Sequence, residues 1–310
     1  MKKLIFLLVI PFIFFGCRKP TNSSNNTLVL ENNLGQFQFN NYEPLVDMPV
    51  NIHYYIPDLV DRQNAPILFV FPGMNRNANT YRDTWINLAD TKGIMIFSFE
   101  FPTAFYPNSV AYQQGNIVNQ NGVLNAEDKW SFSIVEPVFD YIKTSFNYNH
   151  NFYDLFGHSA GAQFVHRYIL FKPYSRVRKA ISANSGWYTI PDTSVLFPYG
   201  LKNIPENNFD LSNSFNKQLE IHLGLLDNNA NDPSLRKTPE ANAQGFHRLS
   251  RGRYFVSKSD SIAQSMNYSI NWVKKEVPDV AHNHGGMSAF AAEELYLSLI
   301  HISEPTRPPE

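Results

Sequence analysis

At 310 residues, with 43% hydrophobic and 17% charged residues, the chain can bury a core and is not a disordered polymer. A formal net charge of −1 argues against a nucleic-acid binder, which needs a basic face to neutralise phosphate. No repeat of fixed period is present, which argues against a solenoid or a propeller.

The opening residues read as a leader rather than as part of the fold. Lys2 and Lys3 make a positive start, and residues 4–15 form an apolar stretch too short for a membrane span of about 20 residues. Together they suit a secretion signal. The stretch closes on Phe14-Phe15-Gly16-Cys17, which resembles the bacterial lipobox, with Phe14 in place of the usual leucine. That resemblance implies cleavage before Cys17 and a diacylglycerol on its thiol. The protein is then expected in the bacterial cell envelope, lipid-anchored to a membrane, at the outer membrane or cell surface. Cys17 is the only cysteine, so the rest of the chain has no disulfide and no cysteine-based metal site. Residues 18–45 read as a flexible tether and N-terminal segment, polar and rich in Asn and Ser up to Thr27. Residues 46–296 are expected to form one domain. The sequence LSLIHISEPTR, from Leu297 to Arg307, resembles a translated sequencing-library adaptor, so residues 297–310, with His301, are set aside.

Between these ends, strand-like and helix-like stretches alternate. Residues 50–56 are rich in β-branched and aromatic side chains, and 66–71 is a continuous apolar run, the mark of a strand buried on both faces. A helix is predicted over 79–91 and a second buried strand over 93–99. An aromatic, Asn-rich loop occupies 102–128. The spacing of Phe132, Val135, Phe139 and Ile142 predicts a helix over 131–146, with Pro137 as a kink or in its first turn. Then come a strand at 152–156, a helix at 160–171, strands at 179–183 and 219–224, and a helix at 254–266. A last strand at 270–277 precedes a last helix opening near Gly286. Such alternation implies an α/β fold, a mostly parallel sheet with helices on both faces.

Gly157-His158-Ser159-Ala160-Gly161 matches G-x-S-x-G. The serine must stand on a sharp strand-to-helix turn that exposes its oxygen, and the two glycines let the chain pass close without a Cβ clash. An apolar strand before it and a helix after it supply the required setting. A tetrahedral intermediate needs two N–H donors. One is expected from Ala160. The other is expected from Phe71-Pro72-Gly73-Met74, which resembles the His-Gly-X turn of esterases and the Pro-Gly-X turn of cutinase-like polyester hydrolases; both resemblances map the donor to Met74.

His247, His282 and His284 are the candidates for a base, and the loop after the last strand favours His282. His53 and His222 fall in strand patterns and read as structural, His166 lies on the helix after Ser159, and His158 is badly placed to serve its own neighbour. For the acid, Asp227 ends the strand at 219–224 and keeps the chain order Ser, Asp, His; Asp232 and then Asp279 are the alternatives.

These pieces, with Ala183-Asn184-Ser185-Gly186-Trp187-Tyr188, Thr238-Pro239-Glu240-Ala241, Gln244-Gly245 and Met287, resemble the α/β-hydrolase family of secreted bacterial polyhydroxybutyrate depolymerase-like and feruloyl-esterase-like proteins. The resemblance spans residues 66–296. It implies a serine esterase working through an acyl-enzyme on a small-molecule or polymeric ester, without a metal or organic cofactor. Trp187 and Tyr188 are candidates for the substrate pocket, or else ordinary aromatic core. A serine peptidase on the same scaffold and a non-catalytic surface-binding lipoprotein are the competing functions.

Overall fold

A computed structural model describes residues 30–297. The expected leader, Cys17, the tether up to residue 29 and residues 298–310 lie outside the described residues. In chain order the elements are β1 (Asn33–Phe39), β2 (Val50–Ile56), β3 (Ile67–Phe71), α1 (Ala78–Thr84), α2 (Ile86–Lys92), β4 (Met95–Glu100), α3 (Asn108–Ala111) and α4 (Val135–Phe146). They continue as β5 (Tyr153–His158), α5 (Ala160–Phe171), β6 (Val177–Ala183), α6 (Leu211–Asn216), β7 (Gln218–Gly224), α7 (Pro239–Ala243), α8 (Arg248–Ser265), β8 (Trp272–Val277) and α9 (His284–Tyr296).

One sheet runs β1-β2-β4-β3-β5-β6-β7-β8. β2 pairs antiparallel with both β1 and β4, and every other pairing is parallel. The α/β expectation therefore holds, with an antiparallel edge. All five residues of β3 are buried, and their alternation explains the continuous apolar run. Ile67, Phe69 and Phe71 enter the core shared with α4, α5 and α8, whereas Leu68 and Val70 enter the one shared with α1, α2 and α9. Strand order reverses at β3, which has β4 on one side and β5 on the other. In open α/β sheets the crevice beyond such a switch point is where ligands bind.

Four elements differ from expectation. The sheet starts at Asn33 rather than after residue 45, because Phe37 and Phe39 are buried while Gln36 and Gln38, which alternate with them, face out. The helix expected over 79–91 is two helices meeting at Trp85, whose buried indole occupies the corner. A 3-10 turn, Ser131–Ile134, precedes α4 and puts Pro137 in the first turn, where its missing N–H costs nothing. Helix α8 begins at Arg248 because His247 caps it, its ring accepting the Ser250 N–H. Among the described residues, no helix is long and apolar enough to cross a membrane.

Candidate active site

Ser159 sits between β5 and α5 with φ 58° and ψ −114°. A non-glycine residue holds such a conformation only where its surroundings enforce it. The flanking glycines show how tight the turn is. A Cβ on Gly157 would lie 2.3 Å from the Gly161 carbonyl oxygen, and one on Gly161 would lie 1.9 Å from that of Phe71. The turn crosses over itself, and the first turn of α5 presses on the end of β3. Both spacings in G-x-S-x-G follow from that contact.

Ser159 Oγ lies 3.0 Å from His282 Nε2, and His282 Nδ1 lies 2.8 Å from Asp227 Oδ2. A carboxylate only accepts, so Nδ1 carries the proton of the neutral ring and Nε2 is left to accept the Ser159 hydroxyl. Asp227 directly follows the loop off β7 and is 4% exposed. Its other oxygen accepts from Arg248 Nη1 at 3.2 Å, and that same nitrogen donates to Asp232 at 2.7 Å. The pairing separates the two carboxylates. Asp232 is turned onto Arg248, whose hydrogen bond holds its carboxyl well below the usual range, and Asp227 alone reaches the imidazole. Asp279 is exposed in a turn with φ 56°.

The remaining histidines have other partners. His284 stacks on Tyr81 with centroids 4.5 Å apart, and its Nδ1 meets Thr84 Oγ1 at 3.2 Å. His53 pairs with Glu100, and His222 with Glu220. His166 Nδ1 faces the Ala162 carbonyl and its Nε2 accepts the Thr189 N–H. His158 lies behind the site, its ring centroid 4.7 Å from that of His282. Burial, and after it the neighbouring imidazoles, holds His158 well below its ordinary 6.5, so it is neutral. Tyr81, whose phenol is pushed up to about 12 by burial, is hydrogen-bonded to its Nδ1 at 2.9 Å.

The loop after β3 closes on the serine, for a Cβ on Gly73 would lie 3.7 Å from that of Ser159. Tyr112 donates its hydroxyl to the Pro72 carbonyl at 2.7 Å, and the Arg76 guanidinium donates to the carbonyls of Phe101, Tyr106 and Asn108. Held this way, Met74 borders the same cleft as Ser159 and Ala160, a space of about 300 Å³. Ala160 opens α5, where first-turn N–H groups have no acceptor within the helix and the dipole favours negative charge. A larger cavity of about 550 Å³, between Phe171, Tyr174 and Phe209, holds none of these residues.

Trp187 lines the cleft, but Tyr188 does not. Its ring is wholly buried and stacks on Phe255 at 4.5 Å, while its N–H and carbonyl are both bound by the Gln244 amide. The chain bends at Gly186 and Trp187, beyond the end of β6, and leaves Trp187 at the cleft and Tyr188 in the core. Arg248, Arg236 and Gln163 also border the cleft, and no local motif marks any of them. Among the described residues, no group of three or more His, Cys, Asp and Glu is placed to hold a metal.

No family model matches the sequence, and no curated protein matches it. Among solved structures, poly(aspartic acid) hydrolase-1 from Sphingomonas sp. KT-1 is 37% identical, covering 86% of this chain and 100% of that one, with a TM-score of 0.81. LpqC, a poly(3-hydroxybutyrate) depolymerase from Bordetella parapertussis, is 27% identical over 90% of this chain and 92% of its own, with a TM-score of 0.81. An S-formylglutathione hydrolase from Agrobacterium tumefaciens, 12% identical over 86% and 94% of the two chains with a TM-score of 0.56, shares the fold alone. At 37% identity along the full length of a solved relative, the chain belongs to that hydrolase's family within the α/β-hydrolases.

Proposed function

We propose that this hydrolase cleaves carboxylic esters through an acyl-enzyme on Ser159, with His282 as base and acid and Asp227 as the orienting carboxylate. The observation that carries the reading is the pair of hydrogen bonds, 2.8 and 3.0 Å, that joins those three side chains across 123 residues of sequence. Ser159 Oγ attacks the ester carbonyl while its proton passes to His282 Nε2. The resulting oxyanion faces the N–H groups of Met74 and Ala160. Collapse breaks the bond to the alkoxy oxygen, which leaves as the alcohol with the imidazolium proton. Water, deprotonated by His282, then attacks the acyl-enzyme, and Ser159 recovers its proton as the acid departs. Asp227 keeps the ring in the accepting tautomer and stabilises the imidazolium.

A second reading is favoured by one specific observation. The relative at 37% identity is a hydrolase of poly(aspartic acid), a polymer joined by amides. The same three groups can expel an amine, provided His282 delivers the proton to its nitrogen. Aryl esters of rising acyl length, feruloyl esters, hydroxybutyrate oligomers and poly(aspartic acid) separate the two. Rapid phenol release from the esters without amine release is the expected result. Amine release without ester turnover would support the second reading, and folded protein inert toward the whole panel would contradict both.

The leader and Cys17 support a lipid-anchored place in the bacterial envelope. The mature N-terminal peptide should carry a diacylglycerol on Cys17, and an unmodified thiol there would overturn this.

A further inference from the structure

The peptide joining Pro72 to Gly73 is gripped at both ends by tyrosines. Tyr112 donates to the Pro72 carbonyl at 2.7 Å. On the other side the Gly73 backbone bonds to the Tyr81 hydroxyl, and because that bond favours the ionised phenol it comes from the Gly73 N–H. The approach is close, for a Cβ on Gly73 would lie 2.9 Å from the Tyr81 oxygen. The next peptide carries the Met74 N–H, and its Gly73 carbonyl accepts the Arg76 N–H at 3.0 Å. Two consecutive planar units fixed in this way set the direction in which the Met74 N–H points.

The same hydroxyl has a second partner. It bonds to His158 Nδ1 at 2.9 Å, and a phenol can accept one hydrogen bond while making another. Among the described residues this is the only hydrogen bond of the His158 ring, whose buried Nε2 has no partner. His158 directly precedes Ser159, and its ring lies 4.7 Å from that of His282. One buried hydroxyl therefore joins the loop after β3 to the end of β5 that carries the serine. The Tyr81 ring makes a separate contact, stacking on His284 at 4.5 Å, which a phenylalanine would keep.

We propose that Tyr81 is a positioning residue for the reaction: through Gly73 and His158, its hydroxyl holds the Met74 N–H and Ser159 at the spacing the tetrahedral intermediate needs. This rests on Ser159 being the nucleophile and on Met74 supplying an oxyanion donor. It goes further in assigning the distance between them to a side chain that does not border the cleft.

The test measures, in the full protein, aryl-ester turnover and the affinity for phenylboronic acid, which forms a tetrahedral adduct on a nucleophilic serine. In Tyr81→Phe, kcat should fall about 10- to 100-fold with KM little changed, because a displaced donor loses part of what a deleted donor loses. Phenylboronate affinity should weaken in step, as for any mimic of the transition state. Tyr55→Phe removes a hydroxyl bonded to Asp90 at 2.7 Å, away from the cleft; it is the control for stability and should keep both activities. A Tyr81→Phe enzyme with wild-type kcat, a fall in kcat without loss of boronate affinity, or an equal fall in Tyr55→Phe would each overturn the inference. So would a Tyr81→Phe chain that fails to fold where Tyr55→Phe folds. Ser159→Ala separates the two levels: if it keeps the boronate affinity, the nucleophile is wrong and the inference goes with it; if it loses that affinity while Tyr81→Phe retains it, only the positioning role is wrong.

Discussion

Replacing Asp227 by asparagine tests the site with almost no change of shape. The two oxygens of Asp227 face different partners, Oδ1 toward Arg248 Nη1 at 3.2 Å and Oδ2 toward His282 Nδ1 at 2.8 Å. A guanidinium can only donate, so the asparagine carbonyl turns to Arg248 and the amide nitrogen is left facing the imidazole. That nitrogen donates to Nδ1 and drives the ring proton onto Nε2, where it points at Ser159 and blocks proton transfer. The opposite flip restores the tautomer but sets two donors against each other in a buried place, at about 1–3 kcal/mol. That leaves roughly one molecule in ten to one in a hundred with a usable ring. Loss of the imidazolium's counter-charge adds to this, so kcat should fall about 10³–10⁴-fold, equivalent to about 4–5.5 kcal/mol of barrier. Aryl-ester turnover measures it, with thermal unfolding to confirm that Arg248, still paired with Asp232 at 2.7 Å, keeps the loop in place. Asp232→Asn should cost far less. A folded Asp227→Asn enzyme within tenfold of wild type would refute the reasoning.

Gly161→Ala drives a methyl group to within 1.9 Å of the Phe71 carbonyl oxygen, so β3 and α5 must part. At the upper end of overpacking costs, about 3 kcal/mol, Tm should drop by about 6–12 °C. Gly93→Ala meets no atom within 4 Å and carries only its left-handed φ of 64°, a cost of about 1–2 kcal/mol; equal losses in the two would show that the close approach is not what fixes Gly161. Acid should weaken the fold through His158 and His166, both held by burial well below the ordinary 6.5. Between its folded and unfolded values each binds a proton only when unfolded, so this stability is complete above pH 6.5 and fades as pH falls below it. The slope is about 1.4 kcal/mol per pH unit for each histidine. Urea midpoints from pH 7.5 down to 5.5 should track this fall, and a flat profile would contradict neutral burial.

What the sequence discloses follows the range of the constraint. The turn at Ser159 is legible because its marks, the glycines on either side of the serine, fall within five residues, and β3 because a strand buried on both faces cannot hide its apolar run. Met74 is legible by its place after β3. His282 and His284 are alike in sequence, and only contacts made by distant residues part them: Tyr81 and Thr84 engage His284, while Asp227 and Ser159 engage His282. The same holds for Asp227 and Asp232, told apart by Arg248, which opens α8 and lies 21 and 16 residues away from them. Strand β1 escapes notice because it lies at the sheet edge, with mostly exposed residues and only Phe37 and Phe39 buried. Arg236 gives no signal at all; its place at the cleft depends on Trp187 and Tyr199 meeting it from other loops.

The central claim is that one hydroxyl, on the strained turn after β5, is the nucleophile. Mass spectrometry of the protein after treatment with a fluorophosphonate tests it most directly. A single adduct on the peptide containing Ser159, lost in Ser159→Ala, is the predicted result. An adduct on any other serine, or undiminished labelling of that mutant, would contradict the account.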